Sequence, residues 1–330
     1  MIKRLSLLLP GALRIVPLLT VAFAFGAFAQ PASGQAIFVA NYTNSTVGEY
    51  DATTGAAINA SFAAGVNVNS PVGVAIVGSN LLVTGTGYSR VAEYNAYTGT
   101  LVTGTFILGS SGNTPTGLAV SGSNLYVSTE TNGYINVYNA TSGVQTTLGL
   151  TYSYFGPGYY PNFLTVSGSY LYVSSYDNNS VSIFNASTGL TALATTPAGL
   201  SGPQGVVVFG SNLLVANSRG NTIAEYNATT GALINASFVT GLSSPTGLAL
   251  SGSNLYVANY GTGAGGTGTI GEYDAATGAV INASLITGLS GPEGLVIAAI
   301  PEPSTWMLLL AGVPLALLTV VRRRSRRIAM

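Results

Sequence analysis

The sequence predicts an all-β fold: a six-bladed β-propeller closed by pairing of its N- and C-terminal strands, with a terminal segment of different composition on each side. Three observations carry this. A motif recurs, "GSNLLV" at 78, "GSNLYV" at 122, "GSYLYV" at 168, "GSNLLV" at 210 and "GSNLYV" at 252, at spacings of 44, 46, 42 and 42 residues. Each repeat holds four short runs of β-branched, aromatic or Leu residues bounded by Gly, Asn, Ser and Pro, the pattern of a four-stranded blade. The repeat is also cut out of phase, because the chain opens on the second strand of one unit and ends on the first strand of another.

The elements follow in order. "AIFVANY" from Ala36 is a second strand without its leading turn. In the fifth copy, whose strands are all clear, "QGVVV" is the first strand, "NLLVAN" the second, "TIAEYNATTG" the third with its turn, and "ALINASF" the fourth. First strands are expected to begin at Gly73, Gly117, Phe163, Gly205, Gly247 and Gly294, and second strands near Ile37, Leu81, Leu125, Leu171, Leu213 and Leu255. The two sets match one to one, so the orphan "GLVIA" at 294–298 is expected to complete the blade opened at Ala36 and remove the free sheet edges of an open array. A linear solenoid is the alternative; it would want capping repeats, and the sequence offers none. The propeller is assigned to residues 36–298.

The recurring P-x-G-[LV]-x-[VIL], followed by "SNLYVAN" and "TIxEYN", resembles the NHL-type six-bladed propellers, and through them the lactonase-like and streptogramin-lyase-like propellers. The resemblance implies the fold; function lives in sites placed on it.

Eight of the ten basic residues lie in the terminal segments, leaving Arg90 and Arg219 against nine acidic residues between them, a net charge of −7. Nucleic acid is thereby excluded as a partner, since phosphate binding needs clustered Lys and Arg. Without cysteine there is no disulfide, thiol nucleophile or thiolate metal site, and without histidine the commonest general base and metal ligand is missing. No catalytic residue, metal ligand or cofactor is assigned. Gly261-x-Gly263-x-x-Gly266 matches a dinucleotide pattern but has no βαβ unit around it. Glu49, Glu93, Glu225 and Glu272 share one third-strand position, away from the axis, where they are expected to pair locally with hydroxyls or backbone donors.

Both ends read as addresses. Residues 1–29 run from Lys3 and Arg4 through an apolar stretch to Ala27-Phe28-Ala29, the layout of a secretory signal peptide. Residues 301–330 hold Pro301-Glu302-Pro303, an uncharged run from Trp306 to Val321 that suits a transmembrane helix (306–321), and a terminal arginine cluster, which fixes the preceding chain outside the cytoplasm. These three parts in this order are similar to the PEP-CTERM sorting signal of Gram-negative bacteria. The resemblance implies export, transient anchoring in the inner membrane through the C-terminal helix, an exosortase-type membrane enzyme as processing partner, and association with the outer surface or an exopolysaccharide-rich extracellular matrix.

Turns of an up-and-down blade alternate ends. On one face they nearly repeat: "SGSN" between first and second strands, and "DATTG", "NAYTG", "NATSG", "NASTG", "NATTG" and "DAATG" between third and fourth, all reading as Asx-type turns closed by glycine. On the other face the second-to-third loops diverge and carry Arg90, Glu130, Asp177 and Arg219. There too the x of each P-x-G is Val72, Thr116, Asn162, Gln204, Thr246 and Glu293, which suits either a binding site or drift at exposed positions. The insertion "TYSYFGPGYYPNF" supplies Tyr159 and Tyr160, suited to stacking on sugar rings or to packing on the next blade. Thr116, Asn162, Gln204, Thr246, Glu293, Tyr159 and Tyr160 are therefore the candidate ligand-binding residues of a binding or structural module associated with polysaccharide. The alternative is a calcium-dependent lactonase-like hydrolase with Glu293 at the axial mouth.

If both addresses are read as proposed, protein recovered from the producing cell begins near Gln30 and lacks the arginine tail. Intact mass checks this, and a chain running from Met1 to Met330 would refute it.

Overall fold

The computed structural model describes residues 34–109, 114–130, 133–146, 160–193, 198–262 and 265–299. Their strands form six antiparallel sheets. Blade 2 is β4 (Pro71–Val77), β5 (Asn80–Gly85), β6 (Arg90–Asn95) and β7 (Leu101–Leu108). Blade 3 is β8 (Pro115–Ser121), β9 (Asn124–Thr129) and β10 (Tyr134–Asn139); blade 4 is β11 (Pro161–Ser167), β12 (Tyr170–Ser175), β13 (Ser180–Asn185) and β14 (Thr191–Leu193). Blade 5 is β15 (Pro203–Phe209), β16 (Asn212–Asn217), β17 (Thr222–Asn227) and β18 (Leu233–Val239); blade 6 is β19 (Pro245–Ser251), β20 (Asn254–Asn259), β21 (Gly268–Asp274) and β22 (Val280–Leu289). Blade 1 joins β1 (Gln35–Asn41), β2 (Thr46–Asp51) and β3 (Ala57–Ala64) to the last strand, β23 (Pro292–Ala299). Its closing register runs from Gln35↔Ala299 to Asn41↔Pro292, so the out-of-phase cut joins the two ends as expected. The inner strands β4, β8, β11, β15, β19 and β23 each touch the next, and β23 touches β4. In blade 3 the expected fourth strand is reduced, among the described residues, to a Tyr138–Gln145 bridge.

Inner strands begin two residues before the expected glycine, at the proline of P-x-G. The proline pairs with the end of the second strand, but pairing resumes only three residues later, as in Pro71↔Gly85 then Val74↔Val83, and the same skip recurs in blades 3 to 6. Proline suits the first position because no ladder donor is needed there. The skip is a bulge, and it turns the x and glycine backbones away from their own sheet. A Cβ on Gly73, Gly117, Gly205, Gly247 or Gly294 would run into the carbonyl oxygen of Thr116, Asn162, Thr246, Glu293 or Val72, respectively. These glycines let adjacent inner strands meet backbone to backbone.

The apolar core is divided. Six clusters of buried side chains each combine residues of two neighbouring blades; one holds Phe38, Val47, Leu81, Val83 and Tyr94 of blades 1 and 2, and another closes the ring with Ile37, Val39, Tyr256 and Ile270 of blades 1 and 6. Tyrosine hydroxyls stitch two of the junctions by donating to turn carbonyls of the next blade, Tyr126 to Ala186 at 3.0 Å and Tyr172 to Ala228 at 3.1 Å; the Tyr256 hydroxyl lies between Glu272 Oε1 of its own blade at 3.2 Å and Ala52 O of blade 1 at 3.4 Å.

The repeating face is built as expected. The leading Asp or Asn of each third-to-fourth turn accepts the backbone N–H groups two and three residues on; Asn227 Oδ1, for example, takes Thr229 N at 3.0 Å and Thr230 N at 2.8 Å, and Gly231 closes the turn at φ 69°. The two turns of a blade are tied together, as by Ala228 N to Ser211 O at 2.9 Å, which places both on one face.

Two measurements test this architecture. Deleting 292–299 removes the closing strand and its share of two core clusters, so the melting temperature should fall by roughly 10 °C or more, whereas deleting 301–330 should leave it nearly unchanged. Gly247→Ala pushes a methyl group into the Glu293 carbonyl and should cost about 2–4 kcal/mol, against about 1 kcal/mol for Gly252→Ala, where φ is 58° but space is open. Equal costs at the two glycines would mean that the inner strands do not meet as described.

Candidate functional site

The variable face is where the blades differ, and the structure sorts its predicted residues into two groups. Thr116 and Thr246 are buried, 4% and 1% exposed, contrary to the expectation that all six x positions lie open at the mouth. The bulge turns their side chains toward the neighbouring blade. Thr116 Oγ1 lies 3.0 Å from Ser128 Oγ and donates to Pro161 O at 3.2 Å; Thr246 Oγ1 donates to Pro292 O at 2.8 Å. These hydroxyls join blades. Val72 is buried as well.

The longer side chains behave differently. Asn162 Oδ1 and Gln204 Oε1, on blades 4 and 5, are buried without a hydrogen-bond partner, a state that costs about 1–3 kcal/mol for a polar group. Glu293 is mostly covered, and burial pushes its carboxyl up to about 8, so the acid is largely protonated at neutral pH. Tyr160 is 38% exposed, and Tyr159 lies outside the described residues.

Axial space lies elsewhere. A cavity of about 60 Å³ is lined by the P-x-G glycines, Phe163, and a ring of Val74, Leu118, Leu164, Val206, Leu248 and Leu295. Beyond that ring a wider cavity of about 400 Å³, lined by the later halves of the inner strands, lies toward the repeating face. None of the six x residues lines either space.

Blade 4 breaks the repeat. Where five blades have glycine it has Phe163. In blades 2 and 3 a second-strand hydroxyl takes the glycine N–H and donates to the next blade's carbonyl: Thr84 to Thr116 O at 2.9 Å, Ser128 to Asn162 O at 2.6 Å. Ser174 of blade 4 instead donates to Phe163 O of its own blade at 3.1 Å. On the loops above the same junction, Arg219 of blade 5 lies over the Tyr176 ring of blade 4, 4.2 Å from its centroid, and meets Asp177 at 3.4 Å. Gly202 packs against both Tyr176 and Arg219, where a Cβ would not fit. Junction 4/5 thus brings together, from two blades, a half-buried tyrosine ring, an exposed guanidinium and an exposed carboxylate. A second stack, Arg90 over Tyr88 at 5.1 Å, stands on blade 2, with Tyr42 and Tyr134 part-exposed on blades 1 and 3.

Sequence reading noted Arg219 and Asp177 as loop residues but missed their pairing across blades and the platform of Tyr176. Three of the third-strand glutamates do pair locally, chiefly with a donor that was not expected, the turn asparagine: Asn80 to Glu93 at 2.6 Å, Asn212 to Glu225 at 2.7 Å and Asn254 to Glu272 at 2.7 Å, while Glu272 also accepts from a hydroxyl as expected, that of Tyr256 at 3.2 Å. In blade 1 that asparagine's position is Ala36, and burial raises the Glu49 carboxyl above its ordinary range.

The geometry defines a six-bladed β-propeller, and the fold is shared with a solved structure. A chain of the crystal structure of a nidogen/laminin complex aligns with TM-score 0.63 and 15% identity over 81% of this chain and 99% of that one. The computationally designed protein Ika8 aligns over 80% of both chains with TM-score 0.48 and 15% identity. No protein-family model and no curated protein sequence matches the chain.

Glu293 predicts a pH dependence. Its carboxyl holds a proton in the folded state between its ordinary value of 4.5 and about 8, so folding stability is greatest below the first value and falls as pH rises through the second. The melting temperature should therefore drop between about pH 5 and about pH 8 in the parent, and the drop should shrink by more than half in Glu293→Gln. Identical slopes in parent and variant would show that the carboxyl is not held protonated by the fold.

Proposed function

We propose that this chain is an exported β-propeller that acts as a binding module for extracellular polysaccharide, with junction 4/5 of the variable face as its contact surface. The observation that carries the reading is the Tyr176–Arg219–Asp177 cluster, a tyrosine ring, a guanidinium and a carboxylate brought together from two blades on the variable face. Aromatic faces stack on the C–H faces of sugar rings, while guanidinium, carboxylate and amide groups exchange hydrogen bonds with hydroxyls. Low charge suits a neutral glycan, because Arg219 is already paired with Asp177.

The terminal segments supply the address. Residues 1–29 act as the signal peptide, and 301–330, with Pro301-Glu302-Pro303, as a PEP-CTERM-like signal for exosortase-type processing. This reading puts the propeller at the cell surface or in the extracellular matrix of a Gram-negative bacterium, the setting in which such a glycan is met. Both segments lie outside the described residues, among which no helix is long and apolar enough to cross a membrane.

The hydrolase reading has less to build on. A calcium site needs several converging oxygens. Thr116 and Thr246 are committed to the blade junctions, and no group of three or more acidic residues converges among the described residues.

Retention on a column of the producing organism's extracellular polysaccharide tests the binding face. Tyr160→Ala, Tyr176→Ala and Arg219→Ala should each weaken retention several-fold with melting temperatures within about 2 °C of the parent. Thr230→Ala, on the repeating face, should be retained like the parent. Equal retention of all four variants would leave a structural spacer as the better description.

A further inference from the structure

The repeating face has a feature that turn formation does not require. Just after each third-to-fourth turn the outer edge of the blade exposes an aliphatic side chain: Ile58, Leu101, Val144, Leu190, Leu233 and Val280, 47–70% exposed, one in every blade. In blades 2, 5 and 6 a second exposed aliphatic residue follows. Scattered exposed apolar residues are ordinary, but here every blade places one within three residues of its turn-closing glycine, at the first residue in blades 3 and 4, the second in blades 2, 5 and 6 and the third in blade 1. Among the described residues the exposed large apolar side chains of the opposite face are Tyr42, Tyr88, Leu108, Tyr134 and Tyr160, mostly aromatic, and the two basic residues, Arg90 and Arg219, both stand on it.

The exit of the chain says what this rim meets. Ala299, the last described residue, pairs with Gln35, whose carbonyl accepts from Ala52 N at 2.8 Å, so the chain leaves the propeller at the repeating face. Six residues, 300–305, separate Ala299 from the apolar run that starts at Trp306. Fully extended, the seven steps from Ala299 to Trp306 span at most about 25 Å, which keeps this face beside any bilayer the run enters. The variable face then points away from it.

We propose that, while the chain is anchored, the repeating face seats on the bilayer surface through its aliphatic rim and presents the variable, tyrosine-bearing face outward. The inference rests on the reading of 306–321 as a membrane segment. Its lipid chemistry follows from charge: the face carries no basic residue and has exposed turn aspartates at Asp274 and its equivalent Asp51, so it suits the apolar boundary of a zwitterionic membrane and gains nothing from anionic headgroups. Six shallow contacts made together reinforce one another because each is held in place by the others and by the tether.

The chain has no cysteine, so single labelling sites can be introduced without background. The full chain, carrying an environment-sensitive fluorophore at Ile234→Cys, Leu190→Cys or Glu130→Cys, is reconstituted with phosphatidylcholine vesicles and floated on a density gradient. The expected result is co-flotation, with blue-shifted emission and quenching by a shallow lipid-borne quencher at both rim positions but not at Glu130 on the variable face. Adding phosphatidylglycerol should not increase either rim signal. Co-flotation with all three labels equally exposed to water would overturn the seating while leaving the anchor intact. A rim signal seen only with anionic lipid would overturn the apolar basis of the contact, and failure to co-float would remove the membrane segment and this inference together.

Discussion

Much in this protein depends on one close approach: an inner-strand glycine lies against the carbonyl oxygen of the next blade's inner strand, repeated five times around the axis. A bulge frees that carbonyl from its own sheet, and the missing side chain lets the neighbour come up to it. Two consequences follow. The axis is pinched to a ring of Val and Leu side chains, which leaves its wider space of about 400 Å³ on the repeating-face side, and the apolar core is divided among six blade junctions. On the variable face a ligand surface has to be sought on the loops.

Blade 4 departs from this pattern. Phe163 replaces the glycine, Ser174 bonds within its own blade, and the x-position amides of blades 4 and 5, Asn162 and Gln204, keep buried oxygens without donors. A repeat protein could regularise such a junction with one glycine. This junction also carries the Tyr176–Arg219–Asp177 cluster, which spans two blades, whereas Tyr88 and Arg90 stack within blade 2; that is the physical reason to place the binding surface here.

Strand order, blade number, closure and the Asx turns were legible because each repeats with a fixed period and a fixed turn chemistry. The side-chain direction of the x residues was not. Alternation along a strand assigns faces only where pairing is regular, and the bulge falls on x, so Thr116 and Thr246 turn into the junctions. The cross-blade stack was hidden for another reason: Tyr176 and Arg219 belong to different repeats and meet only once neighbouring blades pack. The Asn–Glu pairs could have been read from the co-occurrence of "GSN" and "AEY" or "GEY" in blades 2, 5 and 6, since Asn124 of blade 3 faces a strand with Val137 instead of a glutamate.

The outer edges complete the logic. Each blade ends in an edge strand whose open donors and acceptors invite pairing with another chain. In blades 1, 5 and 6 the sequence Asn-Ala-Ser interrupts that edge: Asn59, Asn235 and Asn282 accept from the N–H of Ser61, Ser237 and Ser284 at 3.0–3.1 Å, and the register with the third strand shifts at the same places. Side-chain turns and bulges do here what charged residues do on many edge strands. Among the described residues Arg219–Asp177 is the one ion pair, so salt has little to screen in the scaffold. A fold held by buried apolar junctions, hydroxyl bridges and Asx turns keeps its strength as ionic strength varies, a property that suits the proposed extracellular setting.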